Sequence, residues 1–341
     1  MKQTYTHGGE VYGKNIWLDF SANINPLLLP EGVKRAVSEH LETYCRYPDD
    51  QCEKLRKAIA SAKGVSSDWV LCGNGAADII YRYALAVKAS RVLIPAPTFS
   101  EYEKAFVLAG AKICYATLQE ETGFSFEEEV KLDNIDVVVL CNPNNPVGNL
   151  AERTLIEKIL TAATIKGKRI LVDECFMELS GCEEKYSVMP CIERHPGLLI
   201  VKAFTKTYAM AGLRLGYGIS SDTELLEKMK MAGAPWSVSG VAQVAGIAAL
   251  REVEYLDRAV RLIKTEREYL ERELSKLGYQ VYPSMANYLM FRAEEELYQR
   301  LLERGVLIRQ CGNYRGLGDQ YYRICVGLHK ENEQLIRVMR E

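Results

Sequence analysis

The sequence predicts an α/β protein: a large three-layer α/β/α domain with a mostly parallel sheet, then a smaller α+β domain. Three observations carry this. From Trp69 onward, short apolar runs alternate with amphipathic segments, the pattern of strands each followed by a helix. Several of these runs end in a glycine-rich turn, an asparagine, a carboxylate or a lysine. Those ends are where open sheets of this kind bind ligands. Around Pro235-Trp236-Ser237 the alternation stops, and a long amphipathic segment leads into strand-like runs. The expected division is residues 1–35 as an N-terminal arm joining the small domain, 36–234 as the large domain and 235–341 as the small one.

Taken in order, Asp19-Phe20-Ser21-Ala22-Asn23-Ile24-Asn25-Pro26 is a short apolar-polar stretch ending in a turn, where asparagines tolerate unusual backbone angles. Pro30 opens a helix from Glu31 to Tyr44. The loop Arg46-Tyr47-Pro48-Asp49-Asp50 feeds a second helix, Gln51 to Lys63. A residue before proline is biased towards extended backbone, so Tyr47 projects away from both helices. Strands are expected at Val70 to Cys72, Arg91 to Ile94, Asp136 to Cys141, Arg169 to Val172 and Leu198 to Val201. Helices are expected at Ile79 to Lys88, Phe99 to Ala109 and Ala151 to Lys166. Beyond residue 235 come one amphipathic segment, Gly240 to Leu277, and strands at Tyr279 to Tyr282, Tyr288 to Phe291 and Tyr321 to Val326. No internal repeat or low-complexity tract appears.

A chain of 341 residues, 48% hydrophobic, is long enough for two cores. A net charge of -2 speaks against a nucleic-acid or membrane-surface partner. Ten cysteines without a Cys-x-x-Cys pair, and four scattered histidines, speak against a zinc site. Met1 to Glu10 lacks the apolar core of a signal peptide, and no run approaches the ~20 apolar residues that span a bilayer. Cysteines without an export signal fit a reducing cytoplasm.

The strand ends carry the chemistry. Lys206 stands just past a buried run, where poor hydration disfavours its charged form and leaves the neutral amine that attacks a carbonyl. Thr205 and Arg214 beside it can serve an anion. Gly73-Asn74-Gly75-Ala76-Ala77-Asp78 joins a strand to a helix, so free N–H groups there can cradle a phosphate. Asp78 replaces the third glycine of a dinucleotide fingerprint, and a plain tight turn fits equally. Asn145 is held between Pro143 and Pro146 and can donate its amide to an oxygen on a cofactor ring. Asp173 follows another buried run and needs a cationic partner, unless it merely caps the next element.

The segment Thr205-Lys206-x-x-x-Met210-Ala211-Gly212-Leu213-Arg214-Leu215-Gly216-Tyr217 resembles the lysine motif of the fold-type I pyridoxal-phosphate enzymes, the aspartate aminotransferase superfamily. With the other strand ends, the resemblance covers nearly the whole chain. It implies pyridoxal 5'-phosphate as cofactor and Lys206 as the Schiff-base lysine. It further implies Asp173 at the pyridine nitrogen, Asn145 at the ring oxygen and Phe99 stacked on the ring. Gly75, Ala76 and Ala77, with Thr205 and Arg214, would hold the cofactor phosphate, and Tyr47 would reach it from the second subunit of a homodimer. Two positions depart from the pattern: Phe176 stands where a tyrosine is common, and Ala203 lacks a hydroxyl often found there.

Within that family, both ends of the chain are similar to the threonine-phosphate decarboxylase branch, which serves cobalamin synthesis. His7-Gly8-Gly9, the Asp19–Pro26 stretch, Ile308-Arg309-Gln310-Cys311-Gly312-Asn313-Tyr314-Arg315 and Tyr321-Tyr322-Arg323 carry that likeness. Arg323 would take a substrate carboxylate, and His7, Asn25 and Arg309 a phosphate; Arg315 fits a solvated surface charge equally well. The implied substrate is a small phosphorylated amino acid. A histidinol-phosphate aminotransferase is the alternative on the same scaffold. A non-catalytic regulatory domain is the third reading, disfavoured because no basic helix-turn-helix segment precedes Asp19.

Overall fold

A computed structural model describes residues 7–126 and 132–341. The first six residues of the polar N-terminal stretch lie outside it. The strands, in chain order, are β1 (Leu18–Asp19), β2 (Val70–Gly73), β3 (Arg91–Ala96), β4 (Lys112–Thr117), β5 (Val137–Cys141), β6 (Arg169–Asp173), β7 (Leu198–Ala203), β8 (Gly216–Ile219), β9 (Gln280–Val281), β10 (Tyr288–Arg292), β11 (Val306–Leu307), β12 (Arg309–Gln310) and β13 (Tyr321–Cys325). Seven of them form one sheet in the order β2-β8-β7-β6-β5-β3-β4. The central strands β5, β6 and β7 are parallel and almost wholly apolar, as strands covered on both faces must be.

Two strands escape the periodicity. β4 carries Lys112 and intermediate burial along its length, because it is an edge strand. β8 pairs antiparallel with both β7 and β2. Its direction has a consequence for the site: the start of β8 lies beside the end of β7, with Gly216 opposite both Ala203 and Gly73. A residue just before β8, Arg214, therefore returns to the strand end that carries Lys206.

The helices begin close to their expected places, as Glu53–Lys63, Ala76–Val87, Glu101–Leu108 and Arg153–Ile165. One boundary needs correction. The first helix stops at Glu39 and continues as a 3₁₀ turn, Leu41–Cys45, with no buried residue to hold a further α-turn. The amphipathic segment 240–277 forms two helices, Gly240–Ala249 and Val253–Lys276. The first is lined by small residues because it lies close against the large core. Gly246 leaves no more than 2.9 Å between a would-be Cβ and Leu55. Ala242, Ala245 and Ala249 bury in the same core as the strands of the seven-stranded sheet, although the expected boundary at 235 assigns them to the C-terminal part.

The remaining strands build a four-stranded antiparallel sheet, β12-β13-β10-β9, and a parallel pair, β1-β11. Leu18 and Phe20 bury in one apolar cluster with Leu289, Phe291, Tyr322, Ile324 and Leu335. The N-terminal arm thus packs with residues from the opposite end of the chain. No described helix is long and apolar enough to cross a membrane.

Candidate active site

The C-terminal ends of β3, β5, β6 and β7 open into a cavity of about 400 Å³. Phe99, Asn145, Asp173, Thr205, Lys206, Ala76, Ala77 and Arg214 line it, brought together from the strand ends named in the sequence. His7, Arg309 and Arg323 enter from the other side. A wider vestibule of about 810 Å³, shared through His7, Ser21, Arg309 and Tyr314, leads out to solvent.

Lys206 lies in the short helix Phe204–Thr207 directly after β7. Burial, then the nearby Arg323 guanidinium, brings its amine down from 10.5 to about 8. Its Nζ is 5.7 Å from the centre of the Phe176 ring. That ring packs edge-on against Tyr288, so position 176 brings an apolar ring and no hydroxyl to the cavity wall.

Asp173 closes β6 and is 5% exposed. Burial raises its pKa, against hydrogen bonds that favour the carboxylate. Cys175 N donates to Oδ1 at 2.9 Å, and the Tyr102 hydroxyl donates to Oδ2 at 2.6 Å. These partners are neutral, and a desolvated carboxylate held this way fits a protonated ring nitrogen.

The turn after β2 has the form a phosphate cradle needs, a positive-φ glycine ahead of a helix N-terminus. Gly75 has φ +87°, a conformation that L side chains rarely adopt, and precedes the helix Ala76–Val87. A Cβ there would lie 2.6 Å from Arg214 Nη2, so the guanidinium sits against the turn. Asp78 braces this turn from within. Its Oδ2 accepts from Asn74 N at 2.8 Å and its Oδ1 from Arg82 Nε at 2.9 Å. The residue that breaks the dinucleotide fingerprint therefore stabilises the turn.

Opposite the cradle, Arg323 on β13 is 5% exposed. Its Nη1 donates to Asn145 Oδ1 and, at 3.3 Å, to the Tyr314 hydroxyl; its Nη2 donates to Ser21 O at 3.0 Å. Nε is buried with no partner among the described residues. Asn145 accepts on Oδ1, which leaves its amide N–H₂ for a ligand. Arg309 donates from Nη1 to Gln310 O at 2.8 Å and from Nη2 to Asn313 Oδ1 at 2.6 Å.

Asn25 is a correction. It is fully buried outside the cavity: Nδ2 donates to Thr207 O at 2.8 Å and Oδ1 accepts from Leu27 N at 3.0 Å. Both polar atoms bond backbone, so in this structure Asn25 braces the Lys206 helix rather than lining the cavity. Ser21, Ala22 and Asn23 line the cavity instead. Tyr47 is 80% exposed, stacked on Trp236 with ring centres 4.6 Å apart, and does not reach its own chain's cavity. Arg315 pairs with Glu103 at 3.2 Å and lies 4.0 Å above the Tyr115 ring, outside the inner cavity.

Sequence reasoning gave no role to Tyr102, Tyr314 or Glu101. Tyr102 had a usable signal, three residues after Phe99 within the helix expected from Phe99 to Ala109, although that helix begins only at Glu101. Glu101 had none, since its partner His7 is 94 positions away.

The fold is that of the aspartate-aminotransferase-like, fold-type I enzymes. The chain belongs to the aminotransferase class I and II family, whose model matches residues 15–339. Enzymes of this family depend on pyridoxal phosphate. The chain is 36% identical over 330 residues to the threonine-phosphate decarboxylase of Salmonella typhimurium, an alignment covering 95% of this chain and 90% of the relative. Among solved structures it is similar to the histidinol-phosphate aminotransferase of Clostridium acetobutylicum, at 32% identity and a TM-score of 0.89, covering 95% of this chain and 98% of that one. It is also similar to the L-threonine-O-3-phosphate decarboxylase of Porphyromonas gingivalis, at 26% identity and a TM-score of 0.85, covering 94% and 98%.

The residues present fit the cofactor. The glycine turn and Arg214 form a cradle too tight for a side chain, and Asp173 is a desolvated carboxylate in need of a cation. Lys206 is an amine tuned towards neutrality.

Proposed function

We propose that this protein decarboxylates L-threonine O-3-phosphate, using pyridoxal phosphate held by Lys206, Asp173, Asn145, Phe99, the Gly75–Ala77 turn, Thr205 and Arg214. The observation that carries the reading is the cationic wall opposite Lys206. Arg323, with a buried and unpartnered Nε, shares one cavity with Arg309 and His7. One carboxylate needs one guanidinium; a second and a histidine suit a substrate with a phosphate as well. The 36% identity to a threonine-phosphate decarboxylase supports the same choice.

Bound pyridoxal phosphate supplies a carbonyl for amine attachment and an electron sink for the substrate Cα. Asp173 would hold a proton on the ring nitrogen. Asn145 would donate its amide to the ring oxygen, without a second donor from position 176, where Phe176 has no hydroxyl. Lys206 would be placed to return a proton to the substrate Cα. Which bond to Cα breaks would depend on how this chain's residues orient the substrate. Arg323 takes the carboxylate, while Arg309 and His7 take the phosphate. A second anchor would fix the substrate's orientation, so that its carboxylate rather than its α-hydrogen is presented for cleavage.

The active unit in this reading is a homodimer, in which Tyr47 reaches the second copy's phosphate cradle. Its exposure, and its separation from its own cavity, support that. The pathway is that of cobalamin synthesis, in the cytoplasm.

The test is to incubate holoenzyme with L-threonine O-3-phosphate and measure CO₂ release against keto-acid-dependent amine transfer. Arg309→Ala should cut CO₂ release by on the order of 10²-fold, about what ~2.7 kcal/mol of lost positioning represents. The second reading, a histidinol-phosphate aminotransferase, is favoured by the 32% identity and 0.89 TM-score to the Clostridium enzyme. Amine transfer from histidinol phosphate to 2-oxoglutarate, with no CO₂ from threonine phosphate, would establish it.

A further inference from the structure

We propose that Glu101 is a positioning residue for the substrate, orienting the His7 ring and tethering the N-terminal strap to the Arg323 side of the cavity. The proposal rests on the reading above, in which His7 meets the substrate phosphate. Glu101 is 7% exposed and lines the very cavity that would receive a doubly anionic ligand. A bare carboxylate there would repel that ligand. Its charge is instead spoken for: His7 Nε2 lies 3.0 Å from Oε1, the Tyr81 hydroxyl donates to Oε2 at 2.8 Å, and Lys104 Nζ is 3.6 Å from Oε2. The bond from His7 is the largest cause holding the Glu101 carboxyl down at about 2.

With Nε2 committed to Glu101, Nδ1 is the ring nitrogen left for a ligand. The Phe99 ring, 5.9 Å away and tilted by 51°, flanks the imidazole. The strap beyond His7 is anchored in turn. Gly8 leaves no room for a Cβ against Ser21 O, and Gly9 N donates to Ser21 Oγ at 2.7 Å. Ser21 Oγ donates to Asp19 Oδ1 at 2.6 Å, and Ser21 O accepts from Arg323 Nη2 at 3.0 Å. One chain of contacts thus runs from the helix Glu101–Leu108 through His7 and Ser21 to the guanidinium on β13. A residue at the end of such a chain acts through His7 or not at all, and a double-mutant cycle separates the two cases.

The cycle uses holoenzyme and L-threonine O-3-phosphate, with binding read from the change in the bound cofactor's visible absorbance. That signal reports binding whichever reaction follows. Glu101→Gln should weaken binding roughly 10-fold while leaving cofactor affinity unchanged, and in a His7→Ala background the same change should cost less than about 2-fold. Equal losses in both backgrounds, or no loss in either, overturn the proposal. Should Glu101→Gln not fold, Glu101→Asp, which keeps the charge and shortens the reach, carries the same cycle. Histidine-ring NMR gives a second readout, since the chain has only four histidines and His7→Ala assigns the signal. Inorganic phosphate should shift the His7 resonance in the wild type and not in Glu101→Gln; equal shifts refute the coupling. Wild-type protein that binds threonine phosphate without releasing CO₂ defeats the decarboxylase reading alone, and the cycle is still scored on its own.

Discussion

The Tyr102 hydroxyl donates a 2.6 Å hydrogen bond to Oδ2 of Asp173, in the buried wall of the cavity. Burial pushes the Asp173 carboxyl up while Tyr102 and Cys175 pull it back. Tyr102→Phe removes one of those opposing bonds, so the carboxyl should be raised further and hold the ring nitrogen's proton less well. A hydrogen bond to a charged group is worth ~1.5–3 kcal/mol, so turnover should fall roughly 10- to 100-fold. Asp173→Asn should be the more severe. Steady-state kinetics of the two variants, with cofactor content measured in parallel, checks the order.

Lys206 titrates near 8 because burial, and then Arg323, disfavour its charged form. The neutral amine is the reactive species, so cofactor uptake by apoprotein should accelerate as pH rises through about 8. Arg323→Gln removes a cation and should move that midpoint up, towards the 10.5 of an ordinary lysine. Stopped-flow absorbance across pH 6–10 (roughly the buffered range around the lysine's titration) reads both. Lys206→Ala should abolish the borohydride-fixed adduct, and an adduct persisting on another lysine would overturn the assignment.

Gly216 sits opposite Gly73 and Ala203, and a Cβ on it would lie 2.6 Å from the carbonyl carbon of Gly75. Gly216→Ala must therefore push the phosphate turn. Overpacking of this kind costs ~1–3 kcal/mol, and cofactor affinity should drop by about 5- to 100-fold. Equilibrium dialysis, with far-UV circular dichroism to confirm an intact fold, tests it.

Beneath the site, Lys202 is 1% exposed at its side chain and pairs with Glu174 at 3.0 Å, Glu178 at 3.1 Å and Glu183 at 2.9 Å. Burial opposes its charge, but the three carboxylates outweigh it and hold the ammonium protonated. Lys202→Met fills the space but leaves the buried Glu174 without its cation among the described residues, while Lys63 still pairs with Glu178 and Glu183 at 2.9 Å, so it should destabilise the fold by ~3–5 kcal/mol. Denaturant unfolding measures this. The loss should shrink at low pH, where the stranded carboxylate takes up a proton.

Tyr47 and Trp236 stack on each other at the surface, 80% and 47% exposed. If a second copy covers them, Tyr47→Phe should weaken cofactor retention roughly 10-fold without touching its own chain's cavity. Sedimentation should show a dimer; a fully active monomer contradicts the arrangement.

The sequence by itself determined five of the seven strands of the large sheet and the polar residues at their ends. Apolar runs too long for turns and too short for helices marked β5, β6 and β7. A period-2 or continuous apolar signal is local, and so is the polar residue that ends each run. For that reason Lys206, Asp173, Asn145 and the Gly75 turn could be read one strand at a time. The two ends of the chain were singled out by their resemblance to the threonine-phosphate decarboxylase branch, which implied anion-binding roles for His7 and Arg323.

The tertiary structure alone decided what depends on distance across the fold. The antiparallel run of β8, which returns Arg214 to the cradle, follows from pairing with β7 and β2 and has no local signature. Asn25 bonds the Thr207 carbonyl, a partner 182 positions away that no local pattern reveals. Glu101 and Tyr102 are ordinary residues of an amphipathic helix. They gained their roles when folding buried their polar ends beside His7 and Asp173, since a buried polar group must find a partner and only the packed structure says which one.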